Sequence, residues 1–197
     1  VTMFAVSAAA VNSIGIITIH KSKGIAEKLK PYFMCFAAGV LISVPLMFAL
    51  PEAVSRNYYA GFAALAGFLF MFLSNRLMER KTGDKTLAFG ITAAEGIGIH
   101  SLIDGAIYAV TFSTSIIVGL LSGIGLVIHE FAEGVITYGL LISSGVNRTK
   151  AAWSAFFVAA LTTPIGAFIA YPLISRLTVS VLGLALGFVS GVLIYIC

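Results

Sequence analysis

Two short stretches concentrate the residues able to do chemistry. His100-Ser101-Leu102-Ile103-Asp104-Gly105 and His129-Glu130-Phe131-Ala132-Glu133-Gly134 each set a histidine four residues before a carboxylate. Residues four apart share one face of an α-helix, so each stretch offers an imidazole and a carboxylate side by side. Two of the chain's three histidines are here, and three of its eight acids, Asp104, Glu130 and Glu133, with a fourth, Glu95, just upstream. Neutral imidazole with carboxylate is a good donor set for a borderline dication such as zinc, and it serves iron or manganese as well.

The surroundings are apolar. Residues Leu87–Phe112 and Ile116–Ile142 read as two long helices joined at Ser113-Thr114-Ser115. His100 and His129 fall near their midpoints and equally far from the joining loop, so an antiparallel hairpin brings them to one depth. Asp104 then stands about one turn, roughly 6 Å, nearer the loop, with Glu133 and Glu95 about as far on the other side. Burying carboxylates at mid-bilayer costs several kcal/mol unless they are paired, protonated or bound to a cation. Glu95 lies about 140° round the helix from His100, which suits a proton relay or a structural partner. Ser101 and Glu130 point about 100° from their neighbouring histidines, toward an adjoining subsite.

Composition describes what holds this column. Residues are 59% hydrophobic and 10% charged, and mean hydropathy is strongly positive. That is the balance of an all-α polytopic membrane protein, not of a soluble domain. Seven spans are expected: Thr2–Ile19, Tyr32–Ala53, Tyr58–Asn75, the central pair, Ala151–Ile174 and Thr178–Cys197. Loops are short, so the chain reads as one transmembrane domain. It divides into a three-helix unit over 1–86, the hairpin over 87–142 and an incomplete unit over 151–197. With the N-terminus outside, inner loops carry Lys21, Lys23, Lys28, Lys30, Arg76, Arg80, Lys81, Lys85, Arg148 and Lys150, and outer loops only Arg56 and Arg176. This bias sets a multi-pass orientation in the cell membrane. The net charge of +4 is therefore a topology signal and not a nucleic-acid patch. The basic segments around Lys21–Lys23 and Arg80–Lys85 read as solvated loops.

Phe36-Ala37-Ala38-Gly39-Val40-Leu41-Ile42 recurs as Phe188-Val189-Ser190-Gly191-Val192-Leu193-Ile194. On the assigned topology these spans run in opposite directions, the pattern of an inverted repeat around a central hairpin. The third span then needs a counterpart, so an eighth helix is expected beyond Cys197, and residues are expected before Val1. Cys35 and Cys197 have neither disulfide nor zinc-knuckle spacing.

Two other chemistries share these residues. His129-Glu130-x-x-Glu133 differs at one ligand from the H-E-x-x-H zinc-protease pattern, in which Glu130 would be the general base. Intramembrane acids also serve proton-coupled transport without a metal.

At His100–Gly105 and His129–Gly134 the sequence resembles the ZIP (Zrt/Irt-like protein) family of divalent metal transporters, whose fourth and fifth helices carry H-N-x-P-E-G and an H-x-x-P-E-like segment. Phe36–Ile42 with Leu50-Pro51-Glu52-Ala53 is similar to the family's second helix, and Thr163-Pro164-Ile165-Gly166-Ala167 to its sixth. The resemblance implies eight helices, both termini outside and transport into the cytoplasm. It implies that His100, Asp104 and Glu133 take the primary metal positions with His129 as a further ligand or bridge. Ser101 and Glu130 take positions that can form a second metal site. Departures are Asp104 for Glu, Ser101 for Asn, Ile103 and Ala132 for prolines, and Thr163 where relatives with a two-metal centre carry Glu. The expected substrate is zinc, or else iron, manganese or cadmium, with no resident cofactor. Expected partners are the metal ion, the lipid bilayer and a second copy in a homodimer, and no nucleic acid.

Overall fold

The computed structural model describes residues 1–21, 32, 35, 38–39, 41–114, 116–176 and 178–196. Among them no strand occurs. A chain this apolar has to close its backbone hydrogen bonds within each segment, which a helix does. The helices are α1 (Thr2–Lys21), α2 (Leu50–Arg56), α3 (Ala60–Thr82), α4 (Lys85–Thr114), α5 (Ile116–Ser143), α6 (Arg148–Ala155), α7 (Thr162–Ala170) and α8 (Val179–Ile196). Among the described residues, six helical stretches are long and apolar enough to cross a membrane: Thr2–Lys21, Ala60–Thr82, Lys85–Phe112, Gly119–Ser143, Arg148–Leu173 and Val179–Ile196. Their outward faces expose large apolar side chains, among them Phe62, Ile117, Leu121, Ile128 and Phe168, the character of a membrane-embedded protein.

The expected second span, Tyr32–Ala53, falls partly outside the described residues. Its described end is a π-helical turn, Pro45–Ala49, running into α2. Three of the seven residues of Phe36–Ile42, at positions 36, 37 and 40, also lie outside them, so the echo with Phe188–Ile194 is not compared along its whole length. A second π-turn, Phe156–Ala160, joins α6 to α7. Each π-turn lies just ahead of a proline, Pro51 or Pro164. A proline leaves one carbonyl without its N–H and crowds the preceding turn, and the backbone takes up that crowding by widening there.

Capping marks the turns. Gly83 ends α3 at φ +68°, a left-handed conformation that glycine adopts without strain. Asp84 Oδ1 then accepts from the backbone N–H groups of Thr86 (2.8 Å) and Leu87 (3.1 Å) and starts α4. Asn147 does the same for α6 through Thr149 N–H at 3.0 Å.

Close backbone approaches give the helix directions. On α1 and α5, Asn12 meets Glu130 and His20 meets Tyr138, so the two run parallel. On α3 and α8, Ala60 faces Gly187, Ala64 faces Gly191 and Gly67 faces Phe188, again parallel. Between α4 and the stretch from the second π-turn into α7, Gly98 faces Val158, and Gly105 faces Thr163 and Gly166. Thus α1, α3, α5 and α8 run one way, and α4 and α6–α7 the other. One end of the bundle collects Lys21, Arg76, Arg80, Lys81, Lys85, Arg148 and Lys150. The opposite end holds Arg56 and the backbone position of Arg176.

Candidate metal centre

The α4–α5 hairpin brings His100, Asp104, His129 and Glu133 together. One ligand atom from each lies within 4.8 Å of every other. Asp104 Oδ2 stands 3.0 Å from His129 Nε2 and 3.4 Å from His100 Nε2, and His129 Nε2 is 3.8 Å from Glu133 Oε2. The two imidazole rings meet edge to face at 5.7 Å between centroids. Four donors in a tetrahedron around a zinc-sized ion at its usual bond lengths stand about 3.3 Å apart. These separations bracket that value, and every donor lies within 4.8 Å of the others, so small side-chain adjustments would bring them onto an ion. The two carboxylates supply the negative charge that balances a dication. Asp104 and Glu133 side chains are 5% and 6% exposed and that of His129 is 37% exposed. The group therefore reaches the accessible surface at His129.

Glycines set how tightly the supporting helices approach. A Cβ on Gly105, the residue after Asp104, would overlap the Thr163 carbonyl, and one on Gly166 would overlap the Leu102 carbonyl. A Cβ on Gly134, the residue after Glu133, would overlap the Asn12 carbonyl. α7 and α1 thus press directly on the two helices that carry the ligands.

Glu130 turns away from this group. Its carboxylate is fully buried and accepts from Asn12 Nδ2 on α1 and Thr163 Oγ1 on α7, both at 2.8 Å. A helical step of about 100° from His129 carries Glu130 off the hairpin seam and into the groove between α1 and α7. No cation meets it among the described residues; two neutral donors satisfy the charge. Asn12 and Thr163 are themselves fully buried.

Ser101 joins the centre indirectly. Its hydroxyl reaches Glu133 Oε1 and, at 2.9 Å, the Ile97 carbonyl. With one proton to donate, it serves one of these acceptors at a time. Glu95 stands outside the four-residue group and accepts from Ser74 Oγ on α3 at 2.5 Å.

Tyr108, four residues beyond Asp104 on the same face of α4, is fully buried, and its hydroxyl has no hydrogen-bond partner among the described residues. It packs with Phe4, which in turn packs against Phe112, so a cluster of aromatic rings lies on the Arg56 side of the centre. Asn12 carries a second signal visible in sequence, an amide in the middle of an apolar run, which has to find a buried partner.

The chain matches no model of a known protein family and no curated protein.

Proposed function

We propose that the chain is a ZIP-like secondary transporter that carries a divalent cation, zinc before iron, manganese or cadmium, across the membrane into the cytoplasm. One observation carries this reading: two histidines and two carboxylates converge within 4.8 Å inside a pair of helices apolar enough to span a bilayer. Such a group is costly without a ligand cation, and a bound dication repays the cost.

The basic end of the bundle is the cytoplasmic end on the positive-inside rule. Tyr108 with Phe4 and Phe112 then closes the outer path, and Glu133 and Glu95 line the inner one. The ion is handed from Asp104, shared between the two histidines, toward Glu133, whose other oxygen takes the Ser101 hydroxyl. Glu130 acts as a fixed buried charge beside the path, held by Asn12 and Thr163.

The experiment is uptake into sealed liposomes loaded with a metal-sensitive dye. Accumulation by the intact protein, and its loss in both His100→Ala and Glu133→Ala at unchanged expression, is the expected result. Normal uptake of zinc, iron and manganese by both variants would remove the proposal. Cleavage of a membrane substrate, abolished by Glu130→Gln and without metal accumulation, would replace it with a protease.

A further inference from the structure

We infer a binding site for the phosphate headgroup of an anionic phospholipid at the α3–α4 turn, far from the metal centre. The structure leaves a cavity of about 800 Å³ there, lined by Leu73, Arg76, Leu77, Glu79, Arg80 and Lys85. Sites for small ligands run to about 300–1,000 Å³. Positions 73, 76, 77 and 80 follow i, i+3, i+4, i+7, so two leucines and two arginines share one face of α3. Along that face the wall changes from apolar, within the span, to basic, at its end. Leu73 and Leu77 are 65% and 49% exposed, open to whatever lies against the helix.

The cavity is positive. Three basic side chains face one acid, a formal excess of two charges. Glu79 draws on two of the bases only loosely, Arg76 Nη1 at 3.3 Å and Lys85 Nζ at 3.7 Å. Arg80 has neither a hydrogen bond nor an ion pair among the described residues. An arginine fork matches a phosphate with two parallel N–H donors, and basic groups at the cytoplasmic end of a span attract anionic headgroups. The leucines decide between the two sources of phosphate. A free phosphate ion has no use for them, whereas an acyl chain lies along Leu73 and Leu77 while its headgroup meets Arg76, Arg80 and Lys85. This site does not depend on the proposed transport function.

The test is native mass spectrometry of the full chain released from nanodiscs of phosphatidylglycerol and phosphatidylcholine in equal proportion. Preferential retention of phosphatidylglycerol is expected. Arg80→Gln should reduce that preference about fivefold, the effect of one basic group near a membrane surface. Glu79→Gln removes the cavity's acid and should raise the preference by a similar factor, a gain that misfolding cannot mimic. Leu77→Asn should weaken retention, and millimolar inorganic phosphate should not displace the lipid. Equal retention of the two lipids, an unchanged preference in Arg80→Gln, or a fall in Glu79→Gln would each overturn the inference. Displacement by inorganic phosphate would do so too, by showing a free-anion site.

Discussion

The contact between Glu130 and Thr163 can be tested without assuming any function. Thr163→Val keeps the shape of the side chain and removes the hydroxyl that donates to Glu130 Oε1 at 2.8 Å. Glu130 would then keep one donor, Asn12 Nδ2, for a carboxylate with no access to water. Hydrogen bonds between helices in a membrane average about 0.6 kcal/mol and reach about 1.7. Bonds to charged groups are worth about 1.5–3 kcal/mol. The acceptor here is a buried carboxylate, so the charged range governs, and a loss of about 2 kcal/mol is expected. Thr162→Val is the control. It makes the same chemical change one residue away, but Thr162 Oγ1 returns to its own helix, to the carbonyls of Val158 (2.6 Å) and Ala159 (3.1 Å). That substitution should cost under about 0.5 kcal/mol.

The assay is reversible unfolding in mixed micelles by titration with a denaturing detergent. Repeating Thr163→Val in a Glu130→Gln background removes the charge, and the cost should fall to the ordinary interhelical value of about 0.6 kcal/mol. The coupling energy is then about 2 minus 0.6, roughly 1.4 kcal/mol. If Thr163→Val costs no more than Thr162→Val, or the same in both backgrounds, the view of Glu130 as a charge clasped between α1 and α7 is refuted.

Further outcomes are expected. Protons and a dication compete for His100, Asp104, His129 and Glu133, so metal affinity measured by calorimetry should rise as pH goes from about 5 to about 7.5, and a flat profile would exclude these ligands. Gly166→Val should destabilise the protein by about 1–3 kcal/mol, because its side chain meets the Leu102 backbone. Gly139→Ala, with open space at its Cβ, should be neutral or stabilising in the same unfolding assay. Glu95→Gln should slow uptake with little change in affinity, since Glu95 is bonded to Ser74 outside the four-residue group; an equal loss of affinity would make it a ligand.

The helical, membrane-embedded character is legible in the sequence because it depends on hydropathy summed over long windows. The basic bias at one end is legible for a similar reason: Arg80, Lys85 and Lys150 are charged wherever the helices pack. The pairing of helices is not legible. Spans such as α1 and α8 are apolar on every side, so periodicity does not say which face meets a neighbour. The parallel contact of α1 with α5 shows only where Gly15 and Gly134 let the backbones touch. Asp84 shows another limit. In sequence it is one charge in a polar loop, and in the structure it holds the first turn of α4.

At the centre, spacing on a single helix is informative, because i and i+4 positions share a face whatever surrounds them. That is why His100 with Asp104, and His129 with Glu133, can be paired from sequence. What a side chain one position away does depends on another helix. Glu130 follows His129 directly and by composition is as good a ligand. Its direction is decided by Asn12 and Thr163, more than a hundred residues before it and thirty-three after it. A buried carboxylate goes where donors are, since the cost of leaving it unpaired exceeds that of most rotamer choices. The amide of Asn12 in an apolar run and the hydroxyl of Thr163 beside a proline are therefore informative only together with Glu130. Three isolated polar residues in three spans become one site when the helices close, and the strongest sequence clue to such a site is a polar residue with no partner of its own.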